Sequence, residues 1–246
     1  MTNRADFVNQ RRREAWAYGR ELRDRLLVEY QRKYDLQSPP APALIIDELL
    51  TDFLNVDLKF DPLRDDVFAQ TEWIKGRTVV TVNTLSGHIP GVKDAAGVDN
   101  VGKWHETIHI VRDLHVIRTA PTLMLPGFEA PPTVTCHRGL RRSLSPECVA
   151  REFWAEEAGR AAAASLPALT LSESFQELCE RAERVTGPVP GGFPLLYQAA
   201  KDIGVNITAL VTQLTLEGRI EIRQESGRRT VHVQPSLTEF LVREVT

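Results

Sequence analysis

His105, Glu106 and His109 are the residues whose types and spacing most directly suggest chemistry: two histidines four apart with a glutamate after the first. On an α-helix, positions i and i+4 share a face, so both imidazoles can reach one metal ion while the glutamate turns toward a water beside it. A zinc ion so held lowers the pKa of water toward about 7 and lets Glu106 take its proton, which is the chemistry of amide hydrolysis. With 6 histidines in 246 residues, this H-E-x-x-H pattern arises by chance in roughly 2% of sequences of such composition.

A catalytic zinc takes three protein ligands and leaves one position open, so a third ligand must come from elsewhere in the chain. Asp113, one turn past His109, reads as an exposed acid at the helix end. His115 and the group Cys136, His137 and Cys148 lie in a proline-rich stretch without metal-ligand spacing. Glu152 and Glu156 stand one turn apart on a later helix, and a second helix that crosses the first to deliver a carboxylate is a common zincin solution. His115 and His137 are also candidate donors to an oxyanion.

The elements that must position these residues follow from periodicity. Val101, Trp104, Ile108 and Val111 recur at helical spacing around the motif, with Asp99 or Asn100 as the expected cap. Ser145, Pro146 and Glu147 open the helix that carries Glu152 and runs to about Ala164. Trp16, Leu22, Leu26, Tyr30 and Tyr34 mark an amphipathic helix from Arg11, ended by the prolines at 39, 40 and 42. Ile45 to Phe53 reads as another helix. Phe68 to Ile74 and Thr78 to Val82, rich in β-branched and aromatic residues, suit a hairpin turning at Lys75 and Gly76. After a helical stretch at 169–184, the order helix (Phe193 to Ile203), helix (Asn206 to Glu217), hairpin (Arg219 to Val233) outlines a winged helix.

These elements predict an α+β fold: zincin-like helices packed on a small antiparallel sheet, with a winged-helix-like unit at the carboxy end. The expected division is 1–40 for the first helix and its proline-rich connection, 41–167 for the metallopeptidase domain, and 168–246 for the carboxy-terminal unit. Composition sets the limits. Hydrophobic residues at 42% and charged residues at 26% exclude a wholly disordered or collagenous chain, and a formal charge of -3 gives no general basic field for nucleic acid or an anionic membrane. Three scattered cysteines cannot form a disulfide framework, the amino terminus has no apolar signal region, and no uncharged apolar run is long enough to span a bilayer. A cytoplasmic protein is the expectation. The second helix of the carboxy-terminal unit contains no lysine or arginine, which disfavours direct DNA binding and favours protein contact.

The block from His105 to His109, the segment Arg151, Glu152, Phe153, Trp154, Ala155 and Glu156, and the β-run ending at Val82 and Asn83 together resemble the ImmA/IrrE family of metallopeptidases, over roughly residues 40 to 235. The resemblance implies that Glu152 completes the metal site with His105 and His109, with Glu156 as the runner-up, and that Glu106 is the general base. It departs at Thr107 and Ile108, where the family has Leu and Gly, and at Ala163 to Pro167, where it closes Leu-Leu-Met-Pro. It further implies a Zn2+ enzyme, with Mn2+ as the alternative, whose partner is a protein substrate, typically a helix-turn-helix transcriptional repressor. In zincins a substrate strand pairs with a sheet edge, here expected to be the hairpin, placing Val80 and Val82 near the peptide. The competing reading is a non-catalytic metal-binding regulator that acts through its carboxy-terminal unit.

Overall fold

The structure, a computed structural model, describes residues 4–64, 67–113, 133–137, 146–225 and 227–234. The elements in chain order are α1 (Arg4–Tyr34), α2 (Ile46–Glu48) continued by a π-helical turn (Leu49–Phe53), β1 (Asp57–Asp61), β2 (Val67–Ile74) and β3 (Arg77–Asn83). Next come α3 (Ala95–Ile108), again continued by a π-helical turn (His109–Asp113), then β4 (Thr133–His137) and α4 (Pro146–Ala163). The chain closes with α5 (Leu166–Leu169), α6 (Glu173–Glu183), α7 (Gly192–Asp202), α8 (Ile207–Leu216), β5 (Ile220–Glu225) and β6 (Arg228–Val233). The fold is α+β.

The β2–β3 hairpin forms where expected. Lys75 and Gly76 both take positive φ, 48° and 83°, the backbone of a two-residue turn whose twist matches the strands. The sheet around it differs from the expectation of an all-antiparallel one. Its order is β1-β3-β2-β4, and β1 runs parallel to β3 while β2 pairs antiparallel with β3 and β4, so the sheet is mixed. The hairpin is therefore the interior of the sheet and not its edge. β1 was missed because Asp57, Lys59 and Asp61 are polar and exposed, as befits an outer strand.

On one face of this sheet the helices are stacked in depth: α3 lies on β2 and β3, α4 on α3, and α1 on α4. The stack is close because small residues line it. Ala155, Ala158, Ala161, Ala162 and Ala163 of α4 are all fully buried. A Cβ on Gly19 of α1 would stand 2.1 Å from the Ala158 carbonyl oxygen, so only glycine permits that crossing. Glu157, on the α4 side facing α1, accepts from Trp16 Nε1 at 2.8 Å and pairs with Arg12 at 3.2 Å.

The helix α3 starts earlier than its sequence suggests. Asp94 caps it by accepting from the Gly97 amide at 3.2 Å, while Asn100 lies inside and donates to the Gly204 carbonyl at 2.9 Å. That bond ties α3 to the turn between α7 and α8, whose second helix is capped by Asn206. Trp104 is buried with its Nε1 on the Pro42 carbonyl. One hydrophobic core runs from Leu22 and Leu26 of α1, through Leu49, Trp104 and Ile108, to Leu210, Leu214 and Val231 near the carboxy end, so the three segments expected from sequence share it. Among the described residues, no helix is long and apolar enough to cross a membrane.

Candidate metal centre

Every residue from Gly102 to Ile110 is buried, because α3 is covered by the sheet on one side and by α4 on the other. Inside that sandwich His105 and His109 stack on one face, with Nε2 atoms 3.0 Å apart. From the layer above, Glu152 of α4 brings Oε2 to 3.3 Å from His105 Nε2 and Oε1 to 3.3 Å from His109 Nε2. These residues form a group that could hold a metal ion. The spacing fits one: donors about 2.0–2.1 Å from a tetrahedral ion stand about 3.3 Å from one another. What lets Glu152 reach is the crossing two turns on, at Gly159, where a Cβ would meet His105 N at 2.8 Å and His105 Cα at 2.9 Å.

Past the second histidine the helix widens into its π turn, a local irregularity common at functional sites. Asp113 ends that turn buried, with Oδ2 2.9 Å from His109 Nδ1. A carboxylate only accepts, so Nδ1 carries the hydrogen in its bond to Asp113, and Nε2, which faces Glu152 and His105, is the nitrogen left for a cation. Asp113 is thus not the exposed helix-end acid expected from sequence. Burial opposes charge on His109, but hydrogen bonds to Asp113 and Glu152 overcome it and push its pKa up to about 9. Burial likewise opposes charge on Glu152, yet its bonds from His105 and His109 bring it down to about 2.

Glu106 is fully buried beside this trio. Its Oε2 accepts from Thr71 Oγ1 of β2 at 2.5 Å, while Oε1 has no hydrogen-bond partner among the described residues. Burial raises its pKa, with the nearby His105 and His109 pulling the other way. A fully buried carboxylate oxygen without a partner is costly unless something outside the chain completes it. A water next to a cation at the three donors is such a group, so the residues present fit a metal.

The structure brings together His105, His109 and Glu152, with Glu106 alongside. Glu156 turns away to pair with Arg160, and Cys148, on the first turn of α4, accepts from Arg151 at 3.1 Å. His115 and the side chains of Cys136 and His137 lie outside the described residues, as does Ser145. Val80 and Val82 are core residues of a strand paired on both sides, which removes them from the peptide-binding edge expected from sequence. Sequence reasoning missed Thr71 and Gly159, and no local signal marks them, since both act across long chain separations. Asp113 did carry a signal, its i+4 spacing from His109. The chain has no significant match to any protein-family model, curated protein or solved structure.

Proposed function

We propose that this chain is a zinc-dependent endopeptidase of the ImmA/IrrE kind, working in the cytoplasm on a regulatory protein, with a helix-turn-helix repressor as the substrate its motifs suggest. The observation that carries the reading is the convergence of His105, His109 and Glu152, 3.0 to 3.3 Å apart, with the buried Glu106 carboxylate beside them. Two imidazoles and one carboxylate suit Zn2+, with Mn2+ as the alternative. When bound, the cation acts as a Lewis acid that lowers the pKa of water toward about 7 and polarises the scissile carbonyl.

The chain's own residues then have distinct tasks. Glu106 takes a proton from the water whose oxygen bonds to the carbonyl carbon, and delivers it to the amide nitrogen as the C–N bond breaks. Thr71 fixes Glu106 through its hydrogen bond, and Asp113 fixes the ring of His109. In a zincin-like arrangement the substrate strand pairs with the sheet edge beside the active-site helix. Since β2 and β3 are both enclosed, β4 is the strand on that side with an open edge among the described residues. The carboxy-terminal helices and hairpin form a winged-helix-like unit for protein contact, a reading supported by the lack of lysine and arginine on α8.

The test is metal analysis joined to two substitutions. Purified protein is expected to hold about one zinc per chain. Glu106→Gln should keep that metal and abolish cleavage of a repressor encoded beside this chain, whereas Glu152→Ala should lose the metal and Glu156→Ala should retain it. Metal bound without cleavage of any protein would favour the non-catalytic regulator, and cleavage by Glu106→Gln would remove Glu106 from its role.

A further inference from the structure

Two residues beside the metal donors have no task in the hydrolysis described above: Arg112, in the π-helical turn that begins at His109, and Trp154, on α4 with Glu152. The guanidinium carbon of Arg112 lies 4.6 Å from the centre of the Trp154 ring, and its Nη1 stands 3.9 Å from Asp113 Oδ1. We infer that Arg112, seated on Trp154, is a positioning residue for the metal centre: it holds the Asp113 carboxylate that in turn aims His109. This role rests on the metal centre proposed above and adds a link on the far side of Asp113.

Asp113 is poorly served by water, because its side chain is 7% exposed. Among the described residues it has two polar partners, one for each oxygen: His109 Nδ1 is 2.9 Å from Oδ2, and Arg112 faces Oδ1. A carboxylate held by a single oxygen still turns freely about its last torsion, which has broad minima. A cation at the second oxygen favours the rotation that keeps the first on the imidazole. At 3.9 Å the Arg112 contact is longer than a hydrogen bond and acts through charge, which counts for more in an enclosed place than in water. Nη1 of Arg112 is buried and has no hydrogen-bond partner among the described residues, so the Asp113 charge is what it faces in place of solvent.

An arginine beside an acid ordinarily contributes little, since fixing so long a side chain costs entropy. Arg112 is fixed by its seat. The face of an indole ring attracts a guanidinium lying within about 6 Å, and the planar group stacks on it. Trp154 is held in turn against Tyr18 of α1, with ring centroids 6.5 Å apart. Because Trp154 and Glu152 share α4, the crossing that brings Glu152 to the two histidines also brings the ring to Arg112. One packing arrangement therefore sets both a ligand and the support of another.

The test uses the full chain with isotope-labelled histidine, reading the His109 Nδ1 proton by NMR with and without zinc, and zinc affinity by competition with a chelating dye. In wild-type protein that proton should resonate far downfield and exchange slowly with water, and Asp113→Ala should remove the signal, which assigns it. Arg112→Gln should speed its exchange at least about fivefold and weaken zinc binding about 3–10-fold, less than the loss of Asp113 itself. Arg112→Lys, which keeps a cation beside Trp154, should restore most of both. Arg112→Met, which keeps packing on the ring without charge, should restore neither. If Arg112 acted on the bound cation only by repulsion, its removal would tighten zinc binding. Tighter or unchanged binding in Arg112→Gln, a His109 proton that does not respond, or an Arg112→Met protein that behaves as wild type would each overturn the inference. Wild-type protein that takes up no zinc would refute the metal centre instead, and the His109 proton of the metal-free chain would still decide whether Arg112 holds Asp113.

Discussion

Gly159→Ala tests whether the metal site depends on how closely α4 lies over α3. In an isolated helix this change would stabilise by up to about 1 kcal/mol, because alanine is the better helix former. Here the new methyl carbon would sit 2.8 Å from His105 N, 2.9 Å from His105 Cα and 3.2 Å from Trp104 C. Reaching ordinary contact at 3.4 Å means the helices part by about 0.6 Å, and the opposing atoms are backbone, with no side chain to swing aside. Overpacking of this kind costs about 1–3 kcal/mol, and a backbone-to-backbone clash belongs at the upper end. The expected net loss is about 1–2 kcal/mol, or roughly 2–8 °C in Tm for a chain of this size. The same displacement would carry Glu152 from 3.3 Å to about 3.9 Å from the histidines, so zinc affinity should fall by about 10–100-fold, as when a ligand's support is lost. The assay is thermal unfolding without metal, together with zinc competition against a chelating dye. Gly187→Ala serves as the control, since nothing lies within 4 Å of a Cβ there. If Gly159→Ala melts like Gly187→Ala and binds zinc equally well, the close crossing does not hold the site together.

The remaining predictions concern the second histidine. Asp113→Ala should weaken zinc binding by about 10–100-fold while the helix content is kept, because it frees the His109 ring and its tautomer; unchanged affinity in a metal titration would show that the contact is incidental. Zinc binding should also depend on pH, since the metal-free His109 pKa is about 9 and the cation must displace that proton. Apparent affinity is then expected to weaken about tenfold per unit as pH falls below 9, with proton release measurable by calorimetry in buffers of different ionisation enthalpy; a flat profile between pH 7 and 8.5 would refute it. In the metal-free protein the sign reverses: the raised pKa of His109 stabilises fully below 6.5 and is lost as pH rises through about 9, while the lowered pKa of Glu152 stabilises above 4.5 and is lost as pH falls through about 2.

What was legible in the sequence is what repeats within one helix. His105 and His109 announce a shared face by spacing alone, and the need for a carboxylate from a second helix points to Glu152 or Glu156, between which only the family resemblance chooses. The β2–β3 turn was equally plain, because Lys75 and Gly76 stand between two β-branched runs and short-range rules fix the geometry. Sheet order was not, because nothing local in Asp57 to Asp61 says that this strand pairs in parallel with β3, and that pairing moves the hairpin from edge to interior. The expected cap at Asp99 or Asn100 lies later than the actual one at Asp94 because glycine, as at Gly97, is a poor residue for a helix interior; this helix carries it because a side chain there would collide with the chain at Val205 and Asn206.

Asp113 shows most clearly why the remainder escaped. By spacing it belongs to the face of His105 and His109, but an acid at a helix end is ordinarily solvated, and that preference decided the reading. Whether a residue at that position is solvated depends on what covers the helix, and here the whole stretch from Gly102 to Ile110 is enclosed between sheet and α4. Once enclosed, a carboxylate beside an imidazole gains more from its hydrogen bond than from any position left to it, so enclosure converts an unremarkable acid into the group that aims His109. The enclosure in turn rests on the alanines of α4 and on Gly159, whose small size means nothing until two helices are known to cross there. Site residues that act through spacing along one helix can thus be read directly, while those that act through another element become readable only with the packing between elements.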